Sequence, residues 1–237
     1  MLSINMVFFI KKSSITSNKQ TQLLFITFLF VIFVPMKTKK AFILLNGLEP
    51  SVFPDLSEYD IVCAIDGAYN HFEKNQIIPN LVTGDFDSIK KIPNTVEVVN
   101  TPDQDYTDFD KALQILYKRG YFNIDVYGGS GKEHDHFLGN ISTALQWKNT
   151  LEITFYDDFG KYFFIQNTFT TTNVLGKTIS LIPLPIAEGI TTKGLFYPLK
   201  NESLSFGKRI GTRNKASEND IEINFQSGDL LLYISNK

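Results

Sequence analysis

The sequence predicts an α/β fold followed by an all-β one: an N-terminal parallel, Rossmann-like sheet domain over residues 36–150, then a C-terminal antiparallel β-sandwich over 151–237. Three observations predict it. From Lys40 to about Thr150, short β-branched runs alternate with longer amphipathic ones, the rhythm of parallel strands joined by helical crossovers. After Thr150 the helical period disappears, and strand-like runs follow one another between Gly, Asn and Pro. Finally, Asn46, Asp66, Asp85, Asp87, Gly128 and Gly129 all fall at the ends of apolar runs, and ligands gather beyond the carboxyl ends of parallel strands.

The elements follow in order. AFILLNG (41–47) reads as a buried strand ended by a glycine, and DIVCAIDGA (60–68) as a second that closes on Asp66-Gly67. Residues 68–74 carry a short helical stretch, with Pro79 marking its end. LVTGDFDS (81–88) is a third strand whose acidic residues follow its apolar part, and VEVVN (96–100) is a fourth. Residues 107–119 have the period of an amphipathic helix, with Leu113, Leu116 and Tyr117 on one face, Thr107 as N-cap and Gly120 as stop. NIDVYGG (123–129) is a fifth strand, followed by a glycine-rich turn and the helix HFLGNISTALQW (136–147). The second half offers LEITFYDD, YFFIQNTFTTT, KTISLIPL, ITTKGLFYPL, IEINF and DLLLYIS as strands.

Composition excludes several classes. A net charge of −2 and a pI near 5.9 give no electrostatic footprint for nucleic acid. The single cysteine, Cys63, allows no internal disulfide, lies in an apolar run as an inert core thiol, and suits a reducing, cytoplasmic setting. Residues 1–35 differ from the rest. Their apolar run at 23–34 is short of the roughly 20 residues needed to span a bilayer. It has the length of a signal-peptide core, but no A-x-A-like site follows. The expectation is a mis-assigned start or a disordered extension, with the fold beginning near Met36 and no membrane partner.

The stretch from Thr83 to Leu113 concentrates Asp85, Asp87, Asp103, Asp105, Asp108 and Asp110 in a chain of nearly balanced charge. Turns and helix caps account for single members: Asp108 and Asp110 suit a first helical turn, and Asp103 suits a turn after Pro102. They do not account for the set. Asp85 and Asp87 sit one residue apart at a strand end, where alternation sends both carboxylates to one side, and Asp66 ends the preceding strand. A hard divalent cation resolves such repulsion. Magnesium takes one or two carboxylates and fills its remaining positions with water and substrate phosphate, which points to phosphoryl chemistry. Three histidines and one cysteine offer no zinc spacing. The glycines at 128–131 precede a helix and let backbone N–H groups approach an anion. Asp135 and His136 either cap that helix or orient phosphate or metal-bound water; His134 reads as exposed and His71 as a packing residue.

IDGAYNHF (65–72), TGDFDSI (83–89), DQDYTDFDKAL (103–113) and GGSGKEHDHFLGN (128–140), then GLFYPL (194–199) and GTRNKA (211–216), stand in that order. Together they resemble the thiamine pyrophosphokinase family over nearly all of the chain from Lys40. The resemblance implies an α/β domain for nucleotide and metal and a β-sandwich. It also implies a homodimer with thiamine between subunits, and transfer of the diphosphate of ATP to the thiamine hydroxyl, leaving AMP. It places Asp66, Asp85, Asp87 and Asp108 around Mg2+ and the phosphates, with Gln104 beside them and Lys111 one turn from Asp108. Gly128, Gly129, Lys132, Asp135, His136 and Asn140 fall to the nucleotide, and Tyr197, Thr212, Arg213 and Asn214 to thiamine. Two positions depart from the pattern. Lys132 stands near where many members have arginine, and offers a point charge rather than a bidentate fork; Tyr197 stands where many have tryptophan. Two rival readings are a nucleotide-sugar glycosyltransferase, since Asp85-Phe86-Asp87 is also a D-x-D motif, and a non-catalytic nucleotide or vitamin sensor.

Overall fold

KAFIL and IVCAI are too apolar to leave a face in water. β1 (Lys40–Leu44) and β2 (Ile61–Ile65) accordingly lie side by side within a sheet, β2 buried at every position. The structure is a computed structural model that describes residues 38–86 and 94–237. The extension at 1–35 and Asp87 lie outside the described residues.

β3 (Leu81–Gly84), β4 (Glu97–Asn100), β5 (Asn123–Tyr127) and β6 (Glu152–Tyr156) complete a parallel ladder in the order β4-β3-β2-β1-β5-β6. The chain steps outward from β1 to β4 and then returns to β5 on the other side of β1. β1 and β5 therefore flank a topological switch point, the place where a crevice opens at the strands' carboxyl ends. Alternation sends Ala41, Ile43, Cys63 and Leu81 to one face, under α2 (Asp108–Lys118) and α3 (His134–Trp147). It sends Phe42, Leu44, Val62 and Val82 to the other, under α1 (Tyr69–Lys74). Cys63 is fully buried, which pushes its thiol pKa up and keeps it inert.

α2 begins where the sequence places its cap: Thr107 Oγ1 accepts from the Asp110 N–H at 3.1 Å. It ends in a Schellman motif, with Tyr121 N–H donating to Leu116 O and Gly120 N–H to Tyr117 O, both at 3.0 Å, and Gly120 at φ +80°. Its buried stripe is Phe109, Ala112, Leu113 and Leu116. Tyr117, expected in that stripe, is 42% exposed and packs its ring against Phe122 and Trp147 at the flank. α1 ends at Lys74 as the sequence reading placed it, but Asn75 caps it and the left-handed Gln76 (φ 56°) turns the chain before Pro79 is reached. α3 starts at His134 with Glu133 as N-cap, so neither Asp135 nor His136 is the cap.

β7 (Gly160–Ile165) turns the ladder antiparallel, and the sheet continues through β13 (Ser227–Ser235), β9 (Thr178–Lys193), β12 (Ile221–Asn224) and β8 (Thr168–Thr171). β10 (Lys200–Ser205) and β11 (Gly211–Lys215) also pair with β9. Along β13, Leu230, Leu232 and Ile234 enter the core of this β part, while Leu231 and Tyr233 pack toward the core beneath α2 and α3. Four details differ from the sequence reading. β6, grouped there with the later strands, pairs in parallel with β5. YFFIQNTFTTT divides into β7 and β8. KTISLIPL and the following ITTK fuse into the single 16-residue β9, because Pro183 and Pro185 meet a register shift opposite Gly228 and Leu230, where missing N–H donors are tolerated. β10 and β11 are too polar to show an apolar alternation. No described helix is long and apolar enough to cross a membrane.

Candidate active site

Strand register sets the first carboxylates beside each other. Ile65 is level with Thr83, and Thr83 with Val99, so Asp66 and Asp85 leave adjacent strands at nearly the same height. Gly84 makes the approach possible: a β-carbon there would stand 2.9 Å from Asp66 Cβ. Both exits are bent. Asp66 (φ 44°) and Phe86 (φ 66°) adopt left-handed backbone, at a cost of order 1–3 kcal/mol each for non-glycine residues. Such outliers gather where a fold must aim a side chain rather than continue a strand.

Beyond the ends of β1 and β5 opens a cavity of about 510 Å3, within the size range of ligand sites. Asp66, Asp85 and Asp108 reach it from two strand ends and one helix start. Gln104, Lys111, Lys132, Asp135, His136 and Asn140 also line it, as do Gly128 and Gly129. Every nucleotide- and metal-site residue expected from the sequence is therefore on this one cavity, except Asp87, which lies outside the described residues. The glycines have a structural duty there. Gly47 N–H donates to Gly128 O at 2.8 Å and Leu48 N–H to Ser130 O at 2.7 Å, binding the loop after β1 to the loop after β5. A β-carbon on Gly47 would fall 2.2 Å from Gly128 O, and Gly128 itself has φ +68°. Asn140 fastens the same turn, its Nδ2 donating to Gly129 O at 3.0 Å.

Lys111 is committed within the fold. Its ammonium donates to Thr101 O at 2.7 Å and Asp103 O at 2.8 Å, and lies 2.7 Å from Asp108 Oδ1. Two hydrogen bonds to loop carbonyls and one ion pair engage the ammonium, so this lysine ties the 101–103 loop to the start of α2 rather than reaching across the cavity. Asp108 Oδ1 is buried and held by charge, without an aligned hydrogen bond from the described residues. Lys132 is differently placed, 3.3 Å from both Asn46 Oδ1 and His71 Nε2. His71, read from the sequence as packing, is thus part of the cavity wall's support. Nothing in the local sequence marks it, because its partners come from the loops after β1 and β5. Asp135 accepts from the His136 N–H at 2.9 Å in the first turn of α3, where a helix N-terminus favours negative charge.

The residues expected to meet thiamine form a separate group on the β part. Thr212, Arg213 and Asn214 lie on β11, whose register shifts between Gly211 and Asn214, and Arg213 is left-handed there (φ 61°) with its N–H donating to Ser180 Oγ at 3.0 Å. Asn214 grips Tyr197 by its backbone: Oδ1 accepts from the Tyr197 N–H at 3.1 Å, and Nδ2 donates to Tyr197 O at 2.7 Å. Tyr197 and Phe196 pack edge to face, 5.0 Å apart, with Tyr197 66% exposed. Asn214→Ala removes both hydrogen bonds and frees this aromatic segment. The expected result is a KM for the ring-bearing substrate raised by about tenfold, with KM for the nucleotide unchanged, measured by steady-state kinetics.

The cavity's donor set fits magnesium, with hard carboxylate oxygens, one of them buried and without an aligned donor among the described residues. It is not a closed cage. Among the described residues, no group of three His, Cys, Asp or Glu side chains is drawn together tightly enough to hold a metal alone. The sequence reading expected the acids to share one coordination sphere; Asp66, Asp85 and Asp108 line one cavity, and Asp87 lies outside the described residues. That arrangement suits an ion completed by water and phosphate oxygens.

Comparison with known proteins bears on both groups. The family model described as thiamin pyrophosphokinase, catalytic domain, matches residues 55–155, and that described as thiamin pyrophosphokinase, vitamin B1 binding domain, matches residues 166–230. Thiamin pyrophosphokinase 1 of Caenorhabditis elegans is 30% identical over 175 residues, covering 67% of this chain and 72% of that one. Thiamine pyrophosphokinase of Bacillus subtilis is 27% identical over 202 residues, covering 78% and 94%. The crystal structure of the Bacillus subtilis protein superposes with a TM-score of 0.73 at 25% identity, over 83% of this chain and 99% of that one. The yeast thiamin pyrophosphokinase structure shares the fold at a TM-score of 0.72 and 16% identity, over 84% and 87%.

Proposed function

The chain belongs to the thiamin pyrophosphokinase family and makes thiamine diphosphate from thiamine and ATP, and on that premise we propose how its residues divide the work. Residues 36–150 hold the nucleotide and metal, and residues 151–237 hold thiamine and pair with a second copy. The observation that carries this reading is the convergence of Asp66, Asp85, Asp108 and the Gly128–Gly129 turn on one cavity at the switch point between β1 and β5.

The thiamine hydroxyl oxygen attacks the β-phosphorus of ATP. A bond forms between them, the bond from β-phosphorus to the α,β-bridging oxygen breaks, and AMP departs with that oxygen. Asp85 and Asp87 would hold Mg2+, with Asp66 and Asp108 completing the shell or orienting its waters, and a carboxylate of the set accepts the hydroxyl proton. When bound, magnesium neutralises the charge of the phosphate oxygens. Lys132 meets the phosphates as a point charge. Gln104, Asp135 and His136 border the nucleotide, Asn140 and Lys111 keep the walls in place, and Tyr197, Thr212 and Arg213 contact thiamine.

The exposed, mutually packed Phe196 and Tyr197 support a homodimer that covers them, with thiamine at the interface. The lone buried thiol of Cys63 supports a cytoplasmic location.

Incubation with ATP, Mg2+ and thiamine, followed by identification of both products, tests the reading. Thiamine diphosphate and AMP in equal amounts are expected. Thiamine monophosphate with ADP would contradict attack at the β-phosphorus. A nucleoside diphosphate released from a sugar donor would favour the glycosyltransferase, and tight binding without turnover would favour the sensor.

A further inference from the structure

Two lysines line the cavity among the described residues, and they are not equivalent. The Lys111 ammonium is engaged by Thr101 O, Asp103 O and Asp108, whereas Lys132 rests on two neutral acceptors. Those acceptors are Asn46 Oδ1, just past β1, and His71 Nε2, on α1. An ammonium has only donors, so the facing ring nitrogen must present a lone pair. That fixes His71 as the neutral tautomer with its proton on Nδ1. Nδ1 points at Glu49 Oε2, 3.2 Å away, and Glu49 is anchored in turn by Lys74 and by Asn75 Nδ2 at 3.0 Å. Burial of the ring, and then the charge of Lys132, hold the His71 pKa below its ordinary value, with Glu49 opposing; the neutral form prevails at neutral pH. A lysine side chain has four flexible carbons and no intrinsic preference for one direction. The chain Glu49–His71–Lys132 supplies that direction.

We propose that His71 is a positioning residue for the ATP phosphates, its neutral imidazole, oriented by Glu49, holding the Lys132 ammonium on the cavity wall. The proposal rests on the reading that Lys132 meets phosphate, and the experiment separates the two. Steady-state kinetics are measured for His71→Ala, His71→Gln, Lys132→Ala and the double variant His71→Ala/Lys132→Ala. His71→Ala is expected to raise KM for ATP by roughly five- to tenfold, the scale of one hydrogen bond to a charged group, with kcat and KM for thiamine within about twofold. His71→Gln retains an acceptor and restores most of the loss. In the Lys132→Ala background, His71→Ala adds less than about twofold, since coupled residues do not add. If the alanine variant does not fold, His71→Arg replaces it, because a guanidinium cannot accept and repels Lys132; the same rise in KM is expected. A normal KM in the His71 variants beside a raised one in Lys132→Ala overturns the proposal and leaves the role of Lys132 standing. An equal effect of His71→Ala in both backgrounds also overturns it. A normal KM in every variant overturns both.

Discussion

Asp85→Asn lowers kcat by about 10²–10³-fold while leaving the thermal midpoint within about 2 °C. The two amide atoms replace the two carboxylate oxygens with little change of shape, so packing is preserved and one negative charge is removed. Asp85 lies just past β3, half-buried on the cavity wall and close in register to Asp66. The cost is felt where charge must be balanced during phosphoryl transfer, and in the affinity for the cation. Turnover and thermal unfolding of the same preparation check it. A kcat within about threefold of the unaltered protein would remove Asp85 from the proposed machinery.

Lys111→Met has the opposite signature and harms the fold first. The substitution leaves two loop carbonyls without their donor and Asp108 without its counter-ion, at a site where the lysine side chain is 10% exposed and Asp108 35%. Breaking a buried pair from one side costs several kcal/mol, and the partial exposure of Asp108 reduces that to about 2–3 kcal/mol. For a chain of this length the midpoint should fall by about 5–10 °C. Turnover falls by at least about tenfold below the new midpoint, because Asp108 and the 101–104 loop lose their common anchor. Differential scanning calorimetry and kinetics at 20 °C separate the two effects. Loss of activity with an unchanged midpoint would mean that Lys111 works on the substrate directly.

The parallel half was legible in the sequence because its signals are local. IVCAI can only be an interior strand, Thr107 and Gly120 bracket α2 as drawn, and acids placed after apolar runs emerge at strand tips. The β half was less legible where polar strands borrow their order from a neighbour. NESLS and GTRNK carry no alternation of their own and become strands by pairing with β9, while Pro183 and Pro185 look like an end until a register shift absorbs them. In the site, residue identity was readable and duty was not. Lys111, Asn140 and Asn214 stand where the motifs put them, yet each spends its hydrogen bonds on backbone, which no spacing rule reveals. His71 was missed as a support for the opposite reason, its partners lying 22 residues before it and 61 after.

The central claim is that carboxylates from the tips of β2 and β3 and the start of α2 serve one ion and one triphosphate. The most direct test is anomalous scattering from manganese in crystals grown with a non-hydrolysable ATP analogue. The account predicts a peak in the cavity with a carboxylate oxygen of Asp85 at about 2.0–2.2 Å, phosphate oxygens completing the shell, and Asp66 and Asp108 reaching it directly or through water. Manganese and triphosphate bound elsewhere, with Asp66, Asp85 and Asp108 all out of reach of both, would contradict it.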